Sequence, residues 1–175
     1  RVAITGLSSL LLLPPCLQSN LWGFLCQGMD ALVPIPLERW DVYGQEEAPS
    51  PRELYGAFVP MQLMEGFDAS FFGISAAEAR ALDPQQRLLL QQTVEALRDA
   101  GMSVEGVEGG GVGVFLGLCG IDFVSIMSNN PSLNSSLYSV SGGTPSIAAG
   151  RVSFSLGLQG PCMTYDTACS SSLVA

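Results

Sequence analysis

Two short apolar runs constrain this chain more than any other feature. Val112-Gly113-Val114-Phe115-Leu116-Gly117 follows a glycine cluster, Gly109–Gly111, and Cys162-Met163-Thr164-Tyr165-Asp166 follows Gly160-Pro161. Each is too short for a buried helix and reads as a strand, the first of them as a buried one. Helical patterns lie before and between them. One runs from about Pro84 to Ala100: Asp83 is a good N-cap, Pro84 sits where proline is tolerated, Leu88, Leu89, Val94 and Leu97 supply an apolar face, and Gly101 stops it. A second, 144–157, carries Ser146, Ala148, Ala149 and Gly150, small residues that let another backbone come close. Strands alternating with helices imply an α/β layered fold.

The rest of the chain is less regular. Residues 1–7 read as a strand ending at Gly6, and Leu21–Leu25 as a short helix capped by Ser19 and Asn20. From Pro34 to Pro60 the proline, acid and polar content predicts a long surface loop, in which Glu46-Glu47 is a solvated pair. Leu10–Leu13 with Pro14-Pro15 is too short to span a membrane and reads as the end of a strand entering a loop. Nothing divides the chain into repeats or linked domains.

Composition excludes several functions. The net charge of −9 and the pI near 4.2 leave no basic stripe for nucleic acid and oppose binding to an anionic membrane. With 47% apolar and only 13% charged residues the chain is globular, and its low-charge surface leaves apolar area for a larger assembly. Histidine and lysine are absent, which removes a Walker phosphate loop and makes a zinc site poor. The glycines at 109–117 do not form a dinucleotide fingerprint: Gly117 comes one residue late, and the cluster precedes its strand instead of following it. Asn134-Ser135-Ser136 is a chance sequon. Five cysteines at irregular spacing make no disulfide framework and fit a reducing compartment. Cys16, Cys26, Cys119 and Cys162 read as core cysteines, with Cys119, at a strand end, also a candidate neighbour of a site.

The most informative stretch is Asp166-Thr167-Ala168-Cys169-Ser170-Ser171-Ser172. It places Cys169 at a turn between a strand and a new helix, where helix N–H groups favour a thiolate over a thiol of ordinary pKa, about 8.5. Small neighbours permit a sharp turn like the nucleophile elbow of hydrolases. On local chemistry alone, a nucleophile and a small buried hydrophobe stand level.

This heptapeptide resembles the active-site motif of β-ketoacyl synthases, of the kind found in modular polyketide synthases and type I fatty acid synthases. Further segments resemble the same family in the same order: Glu38-Arg39-Trp40-Asp41, Phe67–Ser75 (FDASFFGIS), Asp83–Leu90 (DPQQRLLL) and Ser146–Ser153 (SIAAGRVS). The likeness covers nearly the whole chain, 1–175, as the amino-terminal part of a ketosynthase domain. It implies a thiolase-like fold layered α-β-α-β-α, mainly its first half. It implies that Cys169 takes an acyl chain from the phosphopantetheine arm of an acyl-carrier protein and that a malonyl-type extender then condenses with it after decarboxylation. The backbone N–H of Cys169 would serve as one oxyanion donor. No cofactor is bound directly; the partners implied are acyl-carrier protein and a second copy of the domain, in a longer multifunctional chain, cytoplasmic or in a plastid. The family's loop after the first strand is replaced by the leucine run of Ser8–Pro15. Its two catalytic histidines and its lysine have no counterpart in these residues, so the 175 residues by themselves are expected not to condense. Two other readings remain: a non-elongating ketosynthase that only binds acyl chains or scaffolds a dimer, and an unrelated thiol protein such as a redox sensor, which would carry a resolving cysteine nearby. Chain-initiating variants with glutamine at this place are excluded by Cys169 itself.

Overall fold

The computed structural model describes residues 2–9, 21–44, 50–120, 122–130 and 137–175. The leucine run 10–13, Cys16, Ser19, Asn20, Glu46-Glu47 and the sequon lie outside these residues. In chain order the elements are α1 (Leu21–Cys26), β1 (Val33–Pro34), a 3₁₀ turn (Pro51–Leu54), β2 (Tyr55–Gly56), α2 (Met61–Glu65), α3 (Ala76–Ala81), α4 (Pro84–Asp99), α5 (Val104–Val107), β3 (Val114–Gly117), α6 (Asp122–Ser128), α7 (Ser139–Gly143), α8 (Pro145–Ser155), β4 (Cys162–Tyr165), a second 3₁₀ turn (Ala168–Ser170) and α9 (Ser171–Val174). They form two compact units, Ser9–Met61 and the combination of Arg1–Ser8 with Gln62–Ala175.

In the Ser9–Met61 unit the described residues of the expected 34–60 loop carry regular structure. Val33 pairs with Gly56 and Pro34 with Tyr55 in a short antiparallel ladder, and Ile35 N–H donates to the Leu54 carbonyl (3.0 Å). Arg39 lies 5.7 Å over the Phe58 ring and donates to the Val59 carbonyl, while Trp40 meets Phe58 edge to face at 6.1 Å. Asp41 accepts from the Tyr43 and Gly44 N–H groups, closing a tight turn. The aromatic and arginine contacts, invisible in a proline-rich composition, give this segment its order.

The larger unit is built on one core of Phe72, Ile74, Leu82, Leu90, Val94, Val152 and Leu156. Leu82, Leu90 and Leu156 are fully buried, each stabilising the fold by about 1.5–3 kcal/mol. The helix α4 starts and stops where its sequence signals place it. Asp83 accepts the Gln85 N–H (2.8 Å), and Gly101 takes a φ of 72° just beyond the C-cap. Its buried face is not quite the expected one: Gln86, Leu90 and Val94 are buried, while Leu88, Leu89 and Leu97 are half-buried. Gln86 goes inside because its amide is fully used. Its Nε2 donates to the Gly142 carbonyl (3.1 Å), and its Oε1 accepts from Arg151 Nε (2.8 Å). Arg151 Nη1 reaches Glu78 Oε1 at 2.7 Å, so α3, α4, α7 and α8 are bound by one polar cluster. The DPQQR and SIAAGR segments are thus joined to each other, and their polar residues hold the fold.

Asp83 is buried and takes part in this junction through its own N–H, which donates to the Gly142 carbonyl (2.9 Å). Burial pushes its carboxyl above the ordinary 3.8, against the opposing pull of the Gln85 hydrogen bonds and of Arg87. Folding therefore favours the protonated form: that contribution is whole below pH 3.8 and is lost as the pH rises through the higher folded value. Asp83→Ala is expected to cost about 1 kcal/mol by loss of the cap. D83N keeps a capping oxygen without a charge to bury, so at pH 7 it is expected to be no less stable than the wild type. Urea melts of the three proteins check this; equal losses in D83A and D83N would contradict the role of the cap.

The sheet of this unit is parallel, with Val114 opposite Cys162 and Gly117 opposite Tyr165. Helix α8 covers one face, its Ala149 N–H donating to Thr164 Oγ1 (3.4 Å), and Ala148 and Ala149 are buried as the small-residue stripe predicts. Phe115 and Met163 occupy the opposite face and are exposed, so β3 is half-covered and not the buried strand expected. Residues 2–9 are not a strand: Val2 and Ile4 are exposed, and this stretch pairs with no strand among the described residues. Gly6 instead lies against α4, where any Cβ would fall 2.2 Å from the Ala96 carbonyl oxygen. Leu7 N–H donates to Asp99 and Ser8 Oγ to Gln92, both at 2.8 Å.

Candidate functional site

The turn after β4 uses almost every residue of its motif to hold its own shape. Asp166 Oδ1 accepts the Ala168 N–H (3.1 Å). Thr167 N–H donates to Ser171 Oγ (2.9 Å), and Ser171 Oγ donates in turn to the Ala168 carbonyl (2.7 Å). Ser170 Oγ bonds the Thr167 carbonyl (2.9 Å) and Thr167 Oγ1 (2.8 Å). Ser171 is buried beneath the turn. These bonds fix Ala168 at a φ of 54°, the left-handed region that a residue with a Cβ enters at a cost of about 1–3 kcal/mol. Alanine is the smallest side chain that bears this strain, and the next residue, Cys169, is exposed. The sharp strand-to-helix turn is as expected, with one refinement: Cys169 lies inside a 3₁₀ turn, and the α-helix proper starts two residues later at Ser171.

A second support comes from β3. The Leu118 N–H donates to the Tyr165 carbonyl (3.0 Å), extending the strand pairing to the root of the turn. Gly117 lies directly under α9: a Cβ there would be 2.6 Å from the Ser171 carbonyl carbon and 2.6 Å from the Ser172 nitrogen, both backbone. Only a residue without a side chain lets the turn settle on the strand. Gly117→Ala is expected to cost about 1–3 kcal/mol and to slow alkylation of Cys169, since the turn must lift. Paired urea melts and iodoacetamide rates test this; unchanged values for both would show that the close approach has no consequence.

Cys119, two residues beyond Gly117, sits at the same end of the sheet. Asp166 is the main influence on its thiol and pushes it up, with desolvation, Asp122 and Cys169 adding in the same direction. Cys119 thus lies near the turn that carries Cys169, and its reading as a core residue does not hold. Cys26, Cys119 and Cys162 are all exposed. Cys26 ends a six-residue helix, and Cys119 and Cys162 stand at the open ends of a sheet covered on one face. Sequence reasoning passed over Gly117, which the glycine closing an apolar strand marks, and named Asp166 and Ser171 only as members of the motif, without the hydrogen-bonding roles that they have here. Among the described residues no group of histidine, cysteine, aspartate and glutamate is placed to hold a metal ion, and no helix is long and apolar enough to cross a membrane.

Comparison with known proteins gives a consistent picture. Residues 1–175 match the family model described as "Beta-ketoacyl synthase, N-terminal domain". Pikromycin polyketide synthase component PikAII of Streptomyces venezuelae is 42% identical over 178 residues, covering 99% of this chain and 5% of its own length. The polyketide synthase component of the compactin nonaketide synthase of Penicillium citrinum is 41% identical over 162 residues, 90% of this chain and 5% of its own. The solved ketosynthase from module 6 of the bacillaene synthase of Bacillus subtilis 168 superposes with a TM-score of 0.70 at 33% identity, over 87% of this chain and 24% of that one. The chain thus spans 5% of the length of these two curated relatives and 24% of the solved ketosynthase.

Proposed function

Because the chain belongs to the β-ketoacyl synthase family, as an amino-terminal ketosynthase domain of the modular polyketide synthase kind with the thiolase-like fold, we propose that Cys169 is its acyl-accepting nucleophile. The observation that carries this is the turn: five hydrogen bonds and a strained Ala168 serve to present one exposed thiol at the end of a parallel sheet. Its thiolate attacks the carbonyl of an acyl thioester on the phosphopantetheine arm of acyl-carrier protein. The tetrahedral intermediate collapses, the carrier thiol leaves, and the acyl group remains on Cys169 as a new thioester. The Cys169 N–H is one donor for the oxyanion. Loss of carbon dioxide from a malonyl-type extender then yields the carbanion that attacks the acyl-cysteine carbonyl, the C–S bond breaks, the Cys169 thiolate leaves, and the lengthened chain stays on the carrier; the decarboxylation calls for groups outside these residues, which contain neither histidine nor lysine. The working unit is a homodimer of the longer multifunctional chain, in the cytoplasm.

Differential labelling tests the assignment. In the parent protein, iodoacetamide or cerulenin at limiting dose is expected to modify Cys169 ahead of the other cysteines. Exposure alone does not predict that, because Cys26, Cys119 and Cys162 are exposed as well. Equal rates at all the exposed thiols would remove the case for an activated nucleophile.

A further inference from the structure

We propose that Cys119 is a resolving thiol for Cys169, so that peroxide joins the two sulfurs in a reversible disulfide and spares Cys169 from irreversible oxidation. The placement comes from the sheet. Adjacent parallel strands lie about 4.8 Å apart, and the pairing of β3 with β4 continues through the bond from Leu118 N–H to the Tyr165 carbonyl. One residue later the chain reaches Cys119, and Gly120, at a φ of 102°, turns it away. On the other strand, the turn bearing Cys169 folds back over Gly117, two residues before Cys119. Both thiols are exposed, so an oxidant reaches them. Cys162 is a built-in control: it faces Val114 at the opposite end of the same strands.

The two thiols are unequal. Asp166 and Asp122 hold Cys119 toward its protonated form, and charge on Cys169 reaches it too. Cys169, exposed on the turn that the strained Ala168 presents, is the thiol oxidised first. Its thiolate attacks hydrogen peroxide, giving Cys169–SOH and hydroxide. The Cys119 thiol then attacks that sulfur, forming the S–S bond and releasing water, with its proton going to the departing oxygen. In total two thiols lose two electrons and two protons, and one peroxide becomes two waters. A dithiol reverses the change. Without Cys119 the sulfenic acid would meet further peroxide and become a sulfinic acid, which dithiols do not reduce. This proposal needs only a peroxide-reactive Cys169; it stands whether or not that residue carries acyl chains.

The experiment treats the full-length parent protein with hydrogen peroxide, blocks free thiols, and digests with trypsin. Cleavage after Arg98 and Arg151 places Cys119 on one peptide and Cys162 with Cys169 on another. Fragmentation by mass spectrometry is expected to show a Cys119–Cys169 bridge, abolished by dithiothreitol with full return of iodoacetamide reactivity at Cys169. In C119S, and in C119A as a second variant should the first fold poorly, the same dose is expected to give Cys169 sulfinic acid with no recovery. Sulfinic acid at Cys169 in the native protein to the same extent as in the variants would overturn the proposal. A bridge from either thiol to Cys162 or Cys26 in place of the Cys119–Cys169 link would overturn it as well.

Discussion

The Cys169→Ala variant is expected to lose acyl loading by about 10³-fold or more, the scale on which removal of a covalent nucleophile acts, while keeping its melting behaviour. Both halves of this expectation come from the turn. The hydrogen bonds that set its shape use the side chains of Asp166, Thr167, Ser170 and Ser171, and none of them uses the Cys169 side chain. The side chain is exposed, so cutting it back to a methyl group leaves no cavity and no orphaned partner. Ser171→Ala makes the contrast. It removes the hydroxyl that accepts from Thr167 N–H and donates to the Ala168 carbonyl, so it is expected to lower stability as well as loading. Loading by C169A at wild-type rate would transfer the chemistry to another residue.

The second large effect is on stability. Arg151→Met is expected to destabilise the protein by about 3 kcal/mol, because it breaks an ion pair that is mostly buried and leaves a charge behind. The Arg151 side chain is 9% exposed and that of Glu78 22%, in contrast to the solvated pair of Arg98 with Glu95 at 60% and 54%. An exposed pair of that kind contributes about 0–1 kcal/mol. Removing Arg151 strands the Glu78 carboxylate and the Gln86 Oε1 together, whereas R98M is expected to shift the urea midpoint little. Chemical denaturation of both variants decides this; equal small effects would mean that the Arg151 cluster is no more than a surface contact.

These contrasts explain what could be read from the chain beforehand. The ends of α4 were legible because Asp83, Pro84 and Gly101 are local signals, each acting within a turn of its own position. Its inner face was less so: Gln86 is polar by pattern and buried in fact, since Gly142 and Arg151, distant in sequence, satisfy its amide. The α/β alternation and the strand-turn presentation of Cys169 were plain, since apolar runs and small turn residues specify them locally. The exposure of Phe115, Cys119 and Cys162 was not, because a strand sequence does not state how many of its faces will be covered. The ladder between β1 and β2 is two residues long and leaves no periodicity to detect. At 1–7 an apolar start suggested a strand, yet strand geometry needs a neighbouring ladder, and the described residues offer it none.

The most direct test of the central claim is to find where the acyl group goes. The parent protein would be mixed with an isotopically labelled acyl-carrier thioester, quenched in acid and digested with pepsin, and its peptides sequenced by mass spectrometry. The account predicts label on the peptide spanning Asp166–Ser172, attached to Cys169 as a thioester that hydroxylamine releases. Label on Cys119, Cys162 or a hydroxyl residue, with Cys169 free to react with iodoacetamide in the same sample, would contradict it.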